Sequence, residues 1–303
     1  MWTKTCPPAA INFNPYLYAP LSMQKSMPQW ISSRLCCGLG NRLFQITAAI
    51  GAAEKLVTRP VLFLPAMQKV EHGNFDLLRT LCPSLELIYT APEWDIVSES
   101  QQATVPPIHP TTDKPIVLQG FFQNTDNFPS LTNSFLPRLP TSPLTPSPDV
   151  WAVHFRFGDY LILPHHQVPG LSKYYYHAII TYVPKGASLR LFSDNPELLA
   201  PIAEEIRNLG YSPEIFTDPD TLGTLHAFAS CTGGAICSNS TFAWWAAFFT
   251  AQAQASTSYK AFFPDTWLRD QPPPPLASSK LPFTQFLRLQ DIPSAPYLSS
   301  FRF

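Results

Sequence analysis

Between residues 150 and 251, short apolar segments alternate with longer segments of helical periodicity. The predicted strands are 150–155, 189–192, 214–216 and 234–237, and the predicted helices are 197–209, 222–230 and 241–251. Strands that alternate with helices in this way favour a parallel sheet covered by helices on both faces. A strand at 33–37, an alanine-rich helix at 43–56 and a strand at 61–64 repeat the pattern. Both halves are therefore predicted to be doubly wound α/β units, with ligands at the carboxyl ends of the strands.

A proline-rich stretch at residues 135–148 separates the two halves. Such a composition is typical of a semi-rigid connector. We predict an N-terminal unit at 1–136, a connector at 137–148 and a C-terminal unit at 149–303. A second proline-rich tract at 271–282 is interpreted as detaching a C-terminal tail of about twenty residues from that unit.

Charge and apolar runs exclude some classes of function. The 303 residues carry 20 Lys and Arg against 21 Asp and Glu, a formal charge of -1. Without a basic patch, binding of nucleic acid by bulk charge is excluded. The first twenty residues hold no apolar stretch long enough for a signal peptide or an anchor, so we expect a cytoplasmic protein with no membrane-spanning segment. A Golgi location is the alternative if an N-terminal anchor is missing from this reading frame.

Six cysteines are few for this length and form no CxxC pair, so we interpret them as reduced core thiols: Cys6, Cys36, Cys37, Cys82, Cys231 and Cys237.

The first candidate motif is the glycine turn that runs from Cys37 to Gln45, with Gly38, Gly40, Asn41 and Arg42 near its start. Glycine allows a backbone to approach a ligand closely, and a helix N-terminus offers free N–H groups to an anion. The motif lacks the third glycine of a dinucleotide fingerprint and the Lys-Ser/Thr of a P-loop. A simple tight turn is the alternative.

The second motif, residues 153–160, places His154, Arg156 and Asp159 at the end of a predicted strand. Alternation along a strand points His154 and Arg156 to the same face. Arginine is a planar, permanently charged group suited to phosphate. An ion pair between Arg156 and Asp159 at the rim of the sheet is the alternative.

The third motif follows the strand at 234–237 and opens the next helix. It consists of Ser238, Asn239, Ser240, Thr241 and Phe242. Three hydroxyl groups and an amide exceed what helix capping needs. The functional interpretation is that the surplus groups bind an oxyanion at this helix terminus. A helix with surplus caps is the alternative.

Several smaller signals are interpreted as turns or loops. They are Ser193-Asp194-Asn195, the segment 118–123, His165-His166 and Asp218-Pro219-Asp220. The last resembles the metal-binding DxD of one class of glycosyltransferases, and His165-His166 lacks a suitably spaced third ligand for a metal.

Taken in order, six segments resemble the alpha-1,2-fucosyltransferases, glycosyltransferase family 11, across residues 35–268. The segments are GLGNRLFQ, GFFQNTDNF, VHFRFGDY, SKYYYHAI, LFSDN and CSNSTFAWWAA, and Pro264 and Trp267 match a closing Pro-x-x-Trp. The resemblance implies two Rossmann-like domains that face a cleft in the B-type glycosyltransferase arrangement. It also implies a metal-independent, inverting transfer of L-fucose from GDP-fucose to a galactose-containing glycan at O2.

The resemblance also implies roles for individual residues. His154 and Arg156 would contact the donor diphosphate, with Arg156 stabilising the departing GDP. Ser240, Thr241 and Phe242 would supply donors to the phosphates. Asp194 would lie near the nucleoside, and Asn41 would face the cleft from the first domain.

The chain departs from the family pattern at four positions. Phe157 replaces the second arginine of HxRRGD, Asn195 the second aspartate of FSDD, Arg42 the glutamine of GLGNQ, and Ala243 the serine of STFSWW. We predict that Arg42 restores the charge lost at Phe157. These departures leave two alternatives open: a non-catalytic sugar-nucleotide or glycan-binding protein, and a transferase that uses another nucleotide sugar. No residue is assigned as the general base, although His154 and Asp159 are near.

Overall fold

A computed structural model describes residues 27–64, 75–91, 93–110, 113–142, 144–218, 220–254, 258–279 and 281–301. The expectations for the N-terminal segment and for Cys6 lie outside these residues. No helix within these ranges is long and apolar enough to cross a membrane.

Five short strands form the sheet region of the first half. They are β1 (Ile31–Ser33), β2 (Val61–Phe63), β3 (Glu86–Ile88), β4 (Asp95–Ser98) and β5 (Ile116–Gln119). The order β1-β5-β4 makes one sheet, and β2 pairs with β3. A parallel bridge from Ile31 to Pro60 brings β2 beside β1. Helix α1 (Leu39–Leu56) lies between β1 and β2 in the chain, and helix α2 (Phe75–Leu81) lies between β2 and β3.

Six parallel strands form the second sheet: β6 (Val150–Phe155), β7 (Ser188–Ser193), β8 (Ser212–Ile215), β9 (Gly234–Ile236), β10 (Ala261–Pro264) and β11 (Thr284–Leu287). Their order is β8-β7-β6-β9-β10-β11. This is the Rossmann order 3-2-1-4-5-6, in which the chain changes direction between its first and fourth strands. The predicted α/β class with Rossmann-like sheets is confirmed, and the switch point lies between β6 and β9.

Helices cover both faces of the second sheet. Helices α3 (Leu171–Tyr182) and α4 (Ala200–Asn208) pack on one face, and α5 (Thr221–Ser230) and α6 (Thr241–Ala253) pack on the other. Helix α6 is apolar on all sides because it lies between the second sheet and α1 of the first half.

The two halves share a continuous apolar core. Phe44 of α1 lies 4.9 Å from Trp244 and 5.3 Å from Trp245 of α6, measured between ring centroids. Phe128 stacks on Trp245 at 5.7 Å. Such an apolar contact opposes relative motion of the halves. The proposed boundary at 137–148 stays a prediction.

The C-terminal residues do not form a detached tail. Strand β11 pairs with β10 beyond the second proline-rich tract. Leu298 and Phe301 are buried, and Phe301 contacts the rings of Phe155 and Tyr175. The interpretation was wrong because the prolines connect two elements of one sheet, and the apolar residues beyond them complete its core.

Two further expectations need correction. Helix α1 begins at Leu39 instead of 43, because the glycine motif forms its first turn, and β1 ends at Ser33, where we expected the strand to begin. Cys82, Cys231 and Cys237 are buried thiols, whereas Cys36 is exposed and Cys37 is partly exposed. The last two therefore are not core residues.

Candidate functional site

A cavity of about 660 Å³ lies at the carboxyl edge of the second sheet, over β6, β7 and β8. Helices α1 and α2 of the first half contribute Leu39, Arg42 and Leu77 to its wall. Its position beside the switch point is where sheets of this order bind ligands. Its volume lies within the range of about 300–1,000 Å³ that is usual for small-molecule sites.

Arg42 is a buried cation in this wall without a hydrogen-bond partner for two of its nitrogens. The residue is 2% exposed, and neither Nε nor Nη2 has a partner. The pKa of Arg42 is lowered because the effect of burial is larger than the opposite effect of the nearby Cys36 and Cys37. An arginine nevertheless keeps its charge in proteins, and an unpaired buried charge is costly. The arrangement is therefore suited to an anion that enters the cavity.

Arg156 also lines the cavity but is already paired with two carboxylates. Its Nη2 donates to Asp159 Oδ1 at 2.6 Å, and its Nη1 lies 2.9 Å from Asp194 Oδ2. The guanidinium stands 5.4 Å from the centroid of the Tyr160 ring. The rim ion pair that we kept as an alternative is thus present, and the two carboxylates already balance the charge of Arg156.

His154 is buried in the wall of the cavity, and the alternation of β6 places it on the same side as Arg156, as predicted. Its Nδ1 lies 2.8 Å from Ser238 Oγ. Burial, reinforced by the charge of Arg156, lowers its pKa to about 3. The ring is therefore uncharged at neutral pH.

The loop after β6 is hydrogen-bonded to the loop after β7. The Phe157 N–H donates to Asp194 Oδ1 at 2.9 Å, and the Gly158 N–H donates to Asn195 Oδ1 at 2.8 Å. Gly158 has a φ of +29°, and a Cβ there would collide with Asp194. Asn195 also donates to Glu197 at 2.9 Å, which an aspartate could not do. This contact explains why an amide suits position 195.

The glycine motif serves helix packing. A Cβ on Gly40 would lie 2.6 Å from the Phe242 nitrogen and would collide with the Thr241 backbone. Gly38 has open space around it and an ordinary φ of -71°. Helix α1 therefore approaches the start of α6 closely at Gly40, and neither glycine lines the cavity, so their contact with a donor stays a prediction.

The polar residues at the start of α6 make contacts within the protein. The described cavity wall does not include Ser238, Asn239, Ser240 or Thr241. Ser238 contacts His154. Asn239 Nδ2 donates to the Trp267 carbonyl at 2.8 Å, and the backbone carbonyl of Asn239 accepts from the Tyr160 hydroxyl. Ser240 is 6% exposed. Of this motif, only Phe242 lines the cavity.

Asn41 and Asp159 lie outside the cavity wall as well. Asn41 Oδ1 accepts a hydrogen bond of 2.8 Å from Gln123 Nε2, which ties α1 to the loop after β5. Asp159 is held by Arg156. The structure therefore gives these two residues supporting contacts and no direct access to the cavity.

Comparisons with known proteins identify no family. No family model matches the chain, and no curated protein matches it. One similar solved structure is that of NodZ alpha-1,6-fucosyltransferase soaked with GDP-fucose. It is 12% identical, with a TM-score of 0.38, over 73% of this chain and 92% of that chain.

Phe157 belongs to the core. It is 4% exposed and lies 6.4 Å from Phe155 and 5.6 Å from Phe301, between ring centroids. Because residues 155 and 157 face away from the cavity while 154 and 156 face it, the aromatic ring at 157 removes no positive group from the cavity wall.

The sequence motifs missed the far end of the cavity. Phe216, Thr217, Asp218, Asp220, Thr221 and Thr224 line it after β8. Asp220 Oδ2 accepts from the Gly223 N–H at 2.7 Å and caps α5, and Asp218 Oδ1 accepts from the Asp220 N–H at 2.9 Å. The interpretation of this segment as a turn agrees with those bonds. The two carboxylates nevertheless face the cavity. Among the residues with described positions, no group of three or more His, Cys, Asp or Glu could hold a metal ion.

Proposed function

We propose that this chain is a glycosyltransferase that binds GDP-fucose in the cavity and transfers L-fucose to a hydroxyl group of a glycan. The observation that carries the proposal is Arg42, a buried cation whose Nε and Nη2 are unpartnered in the wall of a cavity at the switch point. A charge of this kind is stabilised when an anion binds. GDP as the nucleotide, inversion, and O2 of galactose as the acceptor position come from the resemblance of the motifs.

The shape of the cavity suits a nucleotide that lies along the sheet edge. Arg42 enters from α1, which packs against α6 at the switch point. Asp218 and Asp220 follow β8, which is two strands from β6, or about 10 Å at the usual strand spacing. We place the diphosphate at Arg42 and the nucleoside toward the carboxylates, which accept hydrogen bonds from N–H and O–H groups.

In the proposed reaction, the bond between fucose C1 and the phosphate oxygen breaks, and its electron pair stays with GDP. The acceptor oxygen bonds C1 from the opposite face and gives up its proton to solvent, since no residue is assigned as a general base. Negative charge grows on the diphosphate, and fixed cations that lie against it lower the barrier. Arg42 supplies one such cation, and Arg156 supplies another if it exchanges a carboxylate for phosphate.

The pairing of Arg156 with both Asp159 and Asp194 favours a second candidate function. An arginine that keeps these partners would not stabilise a leaving group. The chain would then bind a sugar nucleotide without transferring the sugar. Binding and turnover must therefore be measured separately.

Calorimetric titration with GDP, GDP-fucose and UDP in the presence of EDTA tests the donor site. We expect GDP and GDP-fucose to bind and UDP to bind at least about tenfold more weakly, since each 1.4 kcal/mol of lost contact is tenfold. Arg42→Met should weaken GDP binding at least about hundredfold. Arg207→Gln is the matched control, because Arg207 is an exposed arginine of α4 paired with Glu204.

Release of GDP from GDP-fucose on addition of a galactoside, with the product linkage read by NMR, tests transfer. No nucleotide binding by the wild type overturns the proposal. If nucleotide binding requires Mg²⁺, the expectation of a metal-independent donor site is wrong. Binding without release by any galactoside supports the non-catalytic function.

A further inference from the structure

Two adjacent cysteines lie in the loop between β1 and α1, at the carboxyl edge of the first sheet. Cys36 is exposed and Cys37 is partly exposed, whereas the other described cysteines are buried. Burial raises the pKa of Cys82 and of Cys231 to about 12, so these thiols stay protonated and unreactive at neutral pH. Neither Cys36 nor Cys37 lines the cavity, and the proposed function uses neither of them.

The two sulfur atoms of this pair are in contact. Cys37 Sγ lies 3.5 Å from Cys36 Sγ, within hydrogen-bonding distance for sulfur. Consecutive side chains usually point in different directions, as they do along a strand. Cys37 has a φ of +64°, in the left-handed region that residues other than glycine seldom adopt. The turn at Cys37 therefore brings together two sulfur atoms that a regular strand would separate.

Gln45 holds Cys36 in this position from the buried side of the loop. Its Oε1 accepts from the Cys36 N–H at 3.0 Å, and its Nε2 donates to the Gly120 carbonyl at 2.9 Å. Because an N–H group only donates and a carbonyl oxygen only accepts, these two bonds decide which end of the amide is the nitrogen. Nε2 then donates its second proton to Cys36 Sγ at 3.1 Å. Both the backbone and the sulfur of Cys36 are thus held by one buried side chain.

We propose that Cys36 and Cys37 are a covalent modification site, a dithiol that small-molecule disulfides convert into a disulfide between the two adjacent residues. The observation that carries the proposal is the contact between the two sulfur atoms in an exposed loop. The pair needs no ligand in the cavity, so the proposal does not depend on the proposed function.

The reaction consists of two successive exchanges between a thiol and a disulfide. Deprotonated Cys36 Sγ attacks one sulfur of the reagent and bonds to it, the bond within the reagent breaks, and the other half leaves as a thiolate that takes up a proton. Deprotonated Cys37 Sγ then attacks Cys36 Sγ, and the first half of the reagent leaves in the same way. The dithiol loses two electrons and two protons, and the reagent gains them as two thiols.

A disulfide between adjacent residues is easy to reduce again. Consecutive Cα atoms are about 3.8 Å apart across a trans peptide bond, which is closer than the distance of about 4.4–6.8 Å that is usual in disulfides. A disulfide outside the usual geometry is strained, and strained or exposed disulfides are the ones that reductants open readily. The modification is therefore reversible, in contrast to a structural disulfide.

Mass spectrometry of the full chain after treatment with glutathione disulfide tests the site. Folded protein is treated at millimolar total glutathione, quenched with acid, alkylated with N-ethylmaleimide while unfolded, and digested with trypsin, which cleaves after Arg34 and Arg42. The resulting peptide, residues 35–42, contains Cys36 and Cys37 and no other cysteine. We expect this peptide to lose the mass of two hydrogen atoms and to resist alkylation, and we expect dithiothreitol to reverse both changes. The internal disulfide should exceed the glutathione adduct at least about tenfold, because sulfur atoms in contact have an effective concentration far above that of the added thiol.

Two controls come from the same chain. Cys82 should stay unmodified in the folded protein because it is buried, and it should react once the chain is unfolded. Cys37→Ser should accumulate a glutathione adduct at Cys36, since the second exchange is then absent. Three results overturn the proposal: an adduct that persists on Cys36 in the wild type, a link from the peptide to another cysteine, and an unmodified peptide under conditions that modify the unfolded chain.

Discussion

Arg42→Met is expected to stabilise the free protein and to weaken nucleotide binding. The two effects have opposite signs because the buried guanidinium has two unpartnered nitrogens when the cavity is empty. Replacing a buried charge with an apolar side chain of similar length is often neutral or stabilising by about 1–4 kcal/mol. A residue whose charge served only the fold would show a loss of stability instead.

The loss of binding follows from the same two nitrogens. A hydrogen bond to a charged group contributes about 1.5–3 kcal/mol, so two such bonds to a diphosphate give about 3 kcal/mol or more. At 1.4 kcal/mol for each tenfold change, Arg42→Met should weaken GDP binding at least about hundredfold. Arg42→Lys should keep part of the affinity, since lysine supplies the charge without the planar pair of donors.

Denaturant unfolding without nucleotide measures the first effect, and calorimetry measures the second. A ligand at 100 times its Kd stabilises the native state by about 2.7 kcal/mol, so the wild type should gain that amount from GDP while Arg42→Met gains almost none at the same concentration. If Arg42→Met is less stable than the wild type without nucleotide and binds GDP within threefold of it, Arg42 is a structural residue and the argument for the anion site fails.

Four more changes test other parts of the structure. Gly40→Ala should destabilise the protein by about 1–3 kcal/mol or more in urea unfolding, because its Cβ meets the backbone of α6, whereas Gly38→Ala in open space should stay within about 1 kcal/mol. Equal effects would contradict the packing role. His154 has a folded pKa of about 3, below the unfolded value, so wild-type stability should fall as pH drops from about 6.5 toward 3. His154→Gln should take up about one proton fewer on unfolding at pH 5, and equal uptake would refute the buried neutral ring. Arg156→Ala should lower turnover by about two to three orders of magnitude, as for a lost transition-state donor, and a rate within tenfold of the wild type would remove it from catalysis. Phe301→Ala should cost about 3–5 kcal/mol, since its ring is buried in an aromatic cluster, and a loss below about 1 kcal/mol would restore the idea of a loose tail.

The second sheet was largely predictable from local pattern. The strand 150–155 was placed where β6 lies because helices cover both faces of the sheet, so that β6 is a continuous apolar run. Strands β3 and β4 were missed because they are short and partly exposed, and no apolar run marks them. Strand β11 was missed because a proline-rich tract precedes it, and only its pairing with β10 makes it a strand.

The candidate site was predictable only where one strand determines it. The two-residue period of β6 placed His154 and Arg156 together. The role of Gly40 depends on α6, which lies about 200 residues later, so its local context resembled a ligand-binding turn. Asp218 and Asp220 carry an ordinary capping pattern, and their position on the cavity wall follows from the place of β8 in the sheet order.

The two arginines of the cavity are not equivalent, and their difference indicates how an anion would bind. Asp194, Asp218 and Asp220 outnumber Arg42 and Arg156 in the cavity wall. A dianion therefore gains nothing from the average charge of the cavity, and its position must depend on local pairing. Arg42 has two buried nitrogens without a partner, whereas the charge of Arg156 is already balanced by its ion pairs with Asp159 and Asp194. Since Asp194 also accepts from the Phe157 N–H, Asp159 is the partner that costs less to release. Asp159→Asn should then strengthen GDP binding through Arg156, and unchanged affinity in calorimetry would leave Arg42 as the sole cation of the anion site.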